Sequence, residues 1–299
     1  MRKKQNSIPT LNHDSLQQEK RKEQLFSLGL SIPALISIVL IIVIPIGWLF
    51  SLSFVNSNGD FSLENYQKMI EYKSYARVFY TTFEVSVLTT ALCVFIGYPL
   101  AYFLSQTPEK YAGFFLLAVL LPFWTSLLVR TYAWLVLLQR KGLINNFAID
   151  LGIWDTPIKL VHNLNGTLIG MVHIMLPYLI LPLYGAMRRI DKNGIYAAAN
   201  LGATPAQSFW LIFFPLSLPG VVAGTLIVFI LCLGFYVTPA VLGGGHVIMV
   251  STHITAILEN QFNWGAASAL GVVLLVTTFI ILIVLTKLLK LNNILFGKA

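Results

Sequence analysis

Five histidines, His13, His162, His173, His246 and His253, are the side chains best suited to binding a metal or moving protons. None sits in an H-E-x-x-H run or at another ligand spacing, so no metal site is expected. No G-x-S-x-G elbow presents a nucleophile, and no catalytic carboxylate pair is evident. The phosphate loop G-x-x-x-x-G-K-[ST] is missing. Gly243-Gly244-Gly245 is glycine-rich, but His246 follows it and no lysine can reach a phosphate. It reads as a flexible turn. Cys93 and Cys232 lie inside apolar runs and behave as small hydrophobes. Catalytic residues are therefore not expected, which leaves a conduit, a receptor or a scaffold.

Two charges, Glu84 and Arg130, fall inside long apolar runs. A charge at membrane depth costs a few kcal/mol on insertion scales, less near the interface. Two readings stand side by side. The pair snorkels to water or joins as structural glue, or else Glu84 faces a cavity and offers its carboxylate to a cation. Arg130 would repel that cation, so it suits pairing with a carboxylate or anchoring the fold.

The polar stretch 188–210 has the clearest local grammar. Ile195 to Leu201 is alanine-rich and favours a helix, and Gly202 stands where a left-handed glycine would end it. Thr204 suits an N-cap, Pro205 a first helical position, and Gln207 completes a capping box. A short helix, a glycine corner and a second helix running into Phe209-Trp210-Leu211 follow. Small side chains on the first arm allow close approach and lose little entropy on docking. An ordinary connector would have the same local grammar, so the residues alone leave docking and connector open.

These features need elements to hold them. The chain has 299 residues, 57% hydrophobic and 11% charged, with a mean hydropathy of +0.76. Soluble domains are about 25% charged, so this composition points to an integral membrane protein. Six apolar runs are each long enough for about 30 Å of hydrocarbon: roughly 28–54, 82–104, 114–138, 166–187, 218–242 and 267–288. The first is too long for a cleavable signal peptide and stays in the mature chain. A polar tail, 1–24, precedes the membrane domain 25–290, and 291–299 forms a second tail.

The net charge of +8 raises the question of nucleic acid, but basic residues beside spans are what membrane orientation requires, so no nucleic-acid partner is expected. One set of segments holds the N-terminal tail, the 105–113 and 188–217 loops and the C-terminal end from Lys287 onward, and it carries 13 of the 20 Lys and Arg. The opposite set carries 6. The positive-inside rule then puts both termini and the 188–217 loop in the cytoplasm.

The 188–217 loop resembles the cytoplasmic motif of ABC-importer permeases, which runs E-A-A, three residues, G, nine residues, I-x-L-P. Here it maps onto Tyr196-Ala197-Ala198, Gly202 and Ile212-Phe213-Phe214-Pro215. Tyr196 stands in place of Glu, and Phe214 in place of Leu. Gly97-Tyr98-Pro99-Leu100-Ala101-Tyr102, the run from Leu121 to Trp134, and Gly142-Leu143-Ile144-Asn145 also resemble this family. The likeness is greatest to the first permease subunit of spermidine/putrescine importers.

That resemblance implies an all-α, six-span fold of the type I importer permeases, in a bacterial inner membrane. It implies a second, similar permease, a dimer of ATPase subunits seated on the 188–217 loop, and an extracytoplasmic substrate-binding protein. ATP and magnesium would be held by the ATPase, with no cofactor in this chain. Tyr196, Ala197, Ala198, Gly202, Ala203, Thr204, Pro205, Ile212 and Pro215 would form the coupling surface. For a polyamine path, Glu84 would supply charge. Trp124, Tyr132, Trp134 and Tyr236 would supply aromatic faces, although Trp and Tyr also gather at membrane interfaces for reasons unrelated to solute. The alternatives are another small solute, amino-acid-like or iron-bearing, a membrane scaffold, or a lipid-modifying enzyme.

Overall fold

The computed structural model describes residues 13–56 and 59–288. The first twelve residues of the expected N-terminal tail and the whole expected tail 291–299 lie outside the described residues. Among those described, helices carry the fold, and the sole extended pairing is an isolated bridge between Val55 and Phe61.

Helix α1 (His13–Ile38) passes through a π turn, Val39–Val43, into α2 (Ile44–Leu52). The sequence explains the turn. Pro45 has no N–H, and its ring would press on the carbonyl four residues back. A widened turn relieves that conflict without ending the helix. Two helices follow, α3 (Glu64–Glu71) and α4 (Lys73–Gln106). Next come α5 (Glu109–Leu120), a 3₁₀ turn Leu121–Trp124, and α6 (Leu127–Leu137). Then come α7 (Leu143–Asp150), α8 (Leu164–Arg188) and α9 (Lys192–Asn200). Helix α10 (Pro205–Ser208) enters a second π turn, Phe209–Phe213, and continues as α11 (Phe214–Leu233). Pro215 stands just beyond this π turn as Pro45 does beyond the first. The chain closes with α12 (Val237–Leu242), α13 (Val250–Gln261) and α14 (Trp264–Leu288).

Two expected spans are not single helices. The 114–138 stretch bends by 95° between Trp124 and Leu127. Pro122 removes a backbone donor, and Thr125 and Ser126 take extended conformations that no helix continues through. The 218–242 stretch stops at Leu233, and 237–242 is a separate short helix. There Gly234 follows the last turn, and Pro239 cannot donate back to Phe235. Among the described residues five helices are long and apolar enough to cross a membrane, six if the bent pair counts as one.

Helix α8 is the axis, packed between α4 and α11. Its most apolar window is 61% buried, against none for the window within Gly29–Leu52, so the first helix meets its surroundings on every side. In lipid the driving force for such packing is close fit, and small residues allow it. Gly220 and Gly224 of α11 lie against α8. A Cβ on Gly220 would stand 2.5 Å from the Ala186 Cβ, and one on Gly224 would stand 3.0 Å from the Leu179 carbonyl oxygen. Met171, Met175, Leu179, Ile180 and Leu183 fill the seam, with Cys93 and Cys232 buried among them.

Several hydroxyls inside the bundle find partners along the chain, though the buried Thr89 hydroxyl has none among the described residues. Thr82, Ser86 and Thr90 donate to the carbonyls of Val78, Thr82 and Ser86 at 2.7–2.8 Å, which is how hydroxyls are satisfied where water is absent. Asn145 clips the segment after α6. Its amide donates to the carbonyls of Gln139 (2.9 Å) and Ile158 (3.1 Å), and its oxygen accepts from the Ile158 N–H at 3.0 Å. The triple glycine, expected as a flexible turn, forms a turn in which Gly243 and Gly244 are closely approached and Gly245 is open. Gly244 and Gly245 take positive φ, and a Cβ on Gly244 would lie 2.2 Å from the His162 ring. Only a residue without a side chain fits there.

Candidate functional site

The 188–217 segment builds a corner from strictly local chemistry. Asp191 caps α9, its Oδ1 accepting from the Asn193 N–H at 2.9 Å. At the other end Gly202 has φ +86. The Gly202 N–H donates to Ala199 O and the Ala203 N–H to Ala198 O, both at 3.0 Å. This paired pattern closes a helix through a left-handed residue. Two residues later Thr204 and Gln207 cap α10 reciprocally. The Thr204 N–H donates to Gln207 Oε1 (2.8 Å), and the Gln207 N–H donates to Thr204 Oγ1 (3.3 Å).

The corner has two sides. Tyr196, Ala197, Gly202, Thr204, Pro205 and Pro215 are exposed, while Ala198, Ala203 and Ile212 are half-buried. Leu201 is 89% exposed at the tip of the corner. The inner side overhangs the end of α4, across a groove of about 250 Å³ lined by Tyr102, Gln106, Ile195, Ala199, Phe209 and Phe213, among others.

Below the groove the loop is anchored by aromatic rings. Tyr102 meets Phe209 edge-on at 5.2 Å and Phe213 at 5.0 Å. Each such contact adds about 0.5–1.5 kcal/mol beyond burial. Tyr98 packs on Phe214 at 5.8 Å, and its hydroxyl lies 3.0 Å from Ser217 Oγ. Arg188 Nη1 donates to the carbonyls of Ser105 and Thr107, each at 3.1 Å. A cation there meets the negative end of the α4 dipole. Tyr102 and Arg188 do not stand out in sequence as a pair, because 86 positions separate them. Leu201 was visible only as the residue before the glycine.

The expected intramembrane site is dispersed. Among the described residues Glu84 and Arg130 do not form an ion pair, which removes the reading of the two as mutual glue. Glu84 is half-buried on α4 with no hydrogen-bond partner, flanked on its face by exposed Tyr80, Val87 and Leu88. The Arg130 Nε is buried without a partner among the described residues. Trp134 turns toward α8, where its Nε1–H donates to His173 Nδ1 at 3.0 Å. That bond fixes the proton of a neutral His173 on Nε2. The pair opens onto an apolar cavity of about 520 Å³ between α4, α6 and α8, with Leu92, Ile96 and Asn165 on its walls. Trp124, Tyr132 and Tyr236 are exposed elsewhere, and no ring contact or hydrogen bond among the described residues joins them to Glu84.

The described residues thus form a multi-pass helical bundle with a glycine-cornered loop between α8 and α11. The chain belongs to the binding-protein-dependent transport system inner membrane component family, which matches residues 23–290. It is 33% identical over 262 residues to the spermidine/putrescine transport system permease protein PotB of Haemophilus influenzae, covering 86% of this chain and 91% of that one. PotB of Escherichia coli is 32% identical over 233 residues, covering 78% and 84% respectively. In fold it is similar to a chain of a bacterial alginate ABC transporter solved in complex with an alginate pentasaccharide-bound periplasmic protein. That match has a TM-score of 0.72 at 16% identity, covering 95% of this chain and 98% of that one. The protein is therefore a multi-pass component of the inner membrane and a transport subunit of the ABC permease type.

Proposed function

We propose that this chain is one of two permease subunits of an ATP-driven importer that carries polyamines across the inner membrane. The observation that carries the reading is its identity of about one third, over most of both chains, with permeases named for spermidine and putrescine. In this reading the second permease closes the path, and an extracytoplasmic binding protein delivers the solute. An ATPase dimer holding ATP and magnesium docks on the 188–217 loop, and this chain contributes no catalytic group. The loop and both termini lie in the cytoplasm, as the basic residues require. Glu84, unpartnered on a face of α4 that its own chain leaves open, is the carboxylate for an ammonium group. The face of the Trp134 ring remains available for a cation, since its N–H is already engaged. Trp124, Tyr132 and Tyr236 are further aromatic surfaces on the path, and Arg130 anchors α6.

Uptake of labelled spermidine by cells whose only polyamine importer contains this chain tests the proposal. Uptake that depends on the chain and is competed by unlabelled putrescine is the expected result. Uptake unchanged by its deletion, or competition by an amino acid or a ferric chelate instead, would overturn the polyamine assignment.

Leu201→Asp tests the docking surface. Placing a charge where an apolar side chain enters a partner costs about 2–4 kcal/mol at an interface centre. ATPase recovered with the affinity-purified permease should fall at least about tenfold, with the amount of permease unchanged. Equal recovery would mean that Leu201 faces solvent in the assembly.

A further inference from the structure

The docking loop holds the bundle through the end of α4 as well as through its own continuation into α11. Tyr102 sits between Phe209 and Phe213, the residues that bracket the π turn, with both rings edge-on to it. Arg188 grips the same end of α4 through two carbonyls, so α4, α8 and the loop are tied at one place. At the far end of α4, Thr82 Oγ1 donates to Val78 O and accepts the Val250 N–H at 2.8 Å. A side chain of α4 thus caps the first turn of α13, and Tyr75 adds an edge contact to His253 at 5.5 Å. Twenty residues of one helix, about 30 Å at the α-helical rise, separate the two attachments. Helix α11 begins at a widened π turn beside Pro215, a yielding joint. Helix α4 is gripped from two sides at the loop and stays one unbroken helix past Pro99, with Gly97 close against Leu179.

We propose that α4 is a connecting rod between the coupling loop and α13 on the opposite face, with Tyr102 and Thr82 as its attachment points. This rests on the loop being the seat of the ATPase. Motion at the loop then reaches the surface where the binding protein delivers solute, and docking there reaches the loop in return, because coupling between two sites is reciprocal.

The experiment uses the whole importer in lipid nanodiscs: both permeases, the ATPases and the binding protein. It reads ATP turnover with and without solute-loaded binding protein. Tyr102→Leu should cut the stimulation by about fivefold or more, in the range of allosteric coupling factors, while subunit recovery stays unchanged. Tyr102→Phe should behave as wild type, since the ring and not the hydroxyl makes the contacts. Thr82→Val, which cannot accept the Val250 N–H, should lower stimulation similarly, and Thr82→Ser should keep it. Combining Tyr102→Leu with Thr82→Val should be no worse than the more damaging single change, as two breaks in one link require.

Full stimulation in Tyr102→Leu, or effects that multiply in the double variant, would overturn the rod. So would loss of assembly in both Tyr102→Leu and Tyr102→Met, because the stack would then be a support for docking. If Gly202→Asp leaves stimulation intact, the loop is not the seat of the ATPase and the underlying reading fails. If Gly202→Asp abolishes stimulation and Tyr102→Leu does not, the rod alone fails.

Discussion

Gly202→Asp should abolish solute uptake while the chain is made and inserted at its normal level. Gly202 has φ +86 and closes α9 through paired backbone bonds at Ala203 and Gly202. A side chain in that conformation costs about 1–2 kcal/mol. An aspartate also sets a negative charge on the C-terminal end of α9, where the dipole already is negative. Neither cost unfolds a bundle whose core lies in α4, α8 and α11. A Cβ at Gly202 meets nothing within 4 Å inside this chain, so the added carboxylate projects outward, into the space the docked partner would fill. The expected outcome is loss of uptake by about 100-fold, equivalent to a penalty of about 3 kcal/mol, with Gly202→Ala intermediate. Radiolabelled uptake alongside immunodetection in membrane fractions checks it, and normal uptake by the aspartate variant would remove the loop from the mechanism.

Gly220→Val should act in the opposite way, lowering the amount of folded protein rather than the activity of each copy. The Cβ position of Gly220 lies 2.5 Å from the Ala186 Cβ and 3.3 Å from the Leu183 Cα. These atoms are fixed to the α8 backbone, so no rotamer change can relieve the overlap. Alanine alone forces α8 and α11 apart, and valine adds two methyl groups to the same gap. Overpacking of this kind costs about 1–3 kcal/mol and occasionally more. Membrane helices have no hydrophobic drive to hold a loosened seam closed. A drop of about tenfold in protein recovered after mild detergent extraction is expected, with Gly220→Ala intermediate. A compensating Ala186→Gly should restore part of the yield in the alanine variant. Undiminished yield from Gly220→Val would mean that the α8–α11 contact is not tight in the native protein.

What sequence reasoning reached, and what it did not, divides by the distance over which residues act. The glycine corner and the Thr204–Gln207 cap were legible because every partner lies within a few positions. The six apolar stretches were legible because bilayer thickness sets their length. Their interruptions were harder. Pro122 and Pro239 were visible, yet a proline at membrane depth is compatible with a kink, a break or an intact helix, and neighbouring helices decide which. The contacts of Arg188 with Ser105 and Thr107 and of Trp134 with His173 join residues far apart in the chain. Their side chains carry no mark of a partner until the helices are packed. Glu84 and Arg130 drew attention as charges, but only their places on α4 and α6 exclude their pairing.

The 95° break between Trp124 and Leu127 also bears on how cells supply this chain. Ser126 begins α6 without a side-chain cap, and residues 123–126 are exposed in the isolated subunit. Amide groups left open to hydrocarbon cost several kcal/mol each. If the proposed second permease covers this break, a copy without it leaves those amides unshielded, a feature that membrane proteases can recognise. In the proposed two-permease assembly, surplus copies of this chain should therefore have short lifetimes.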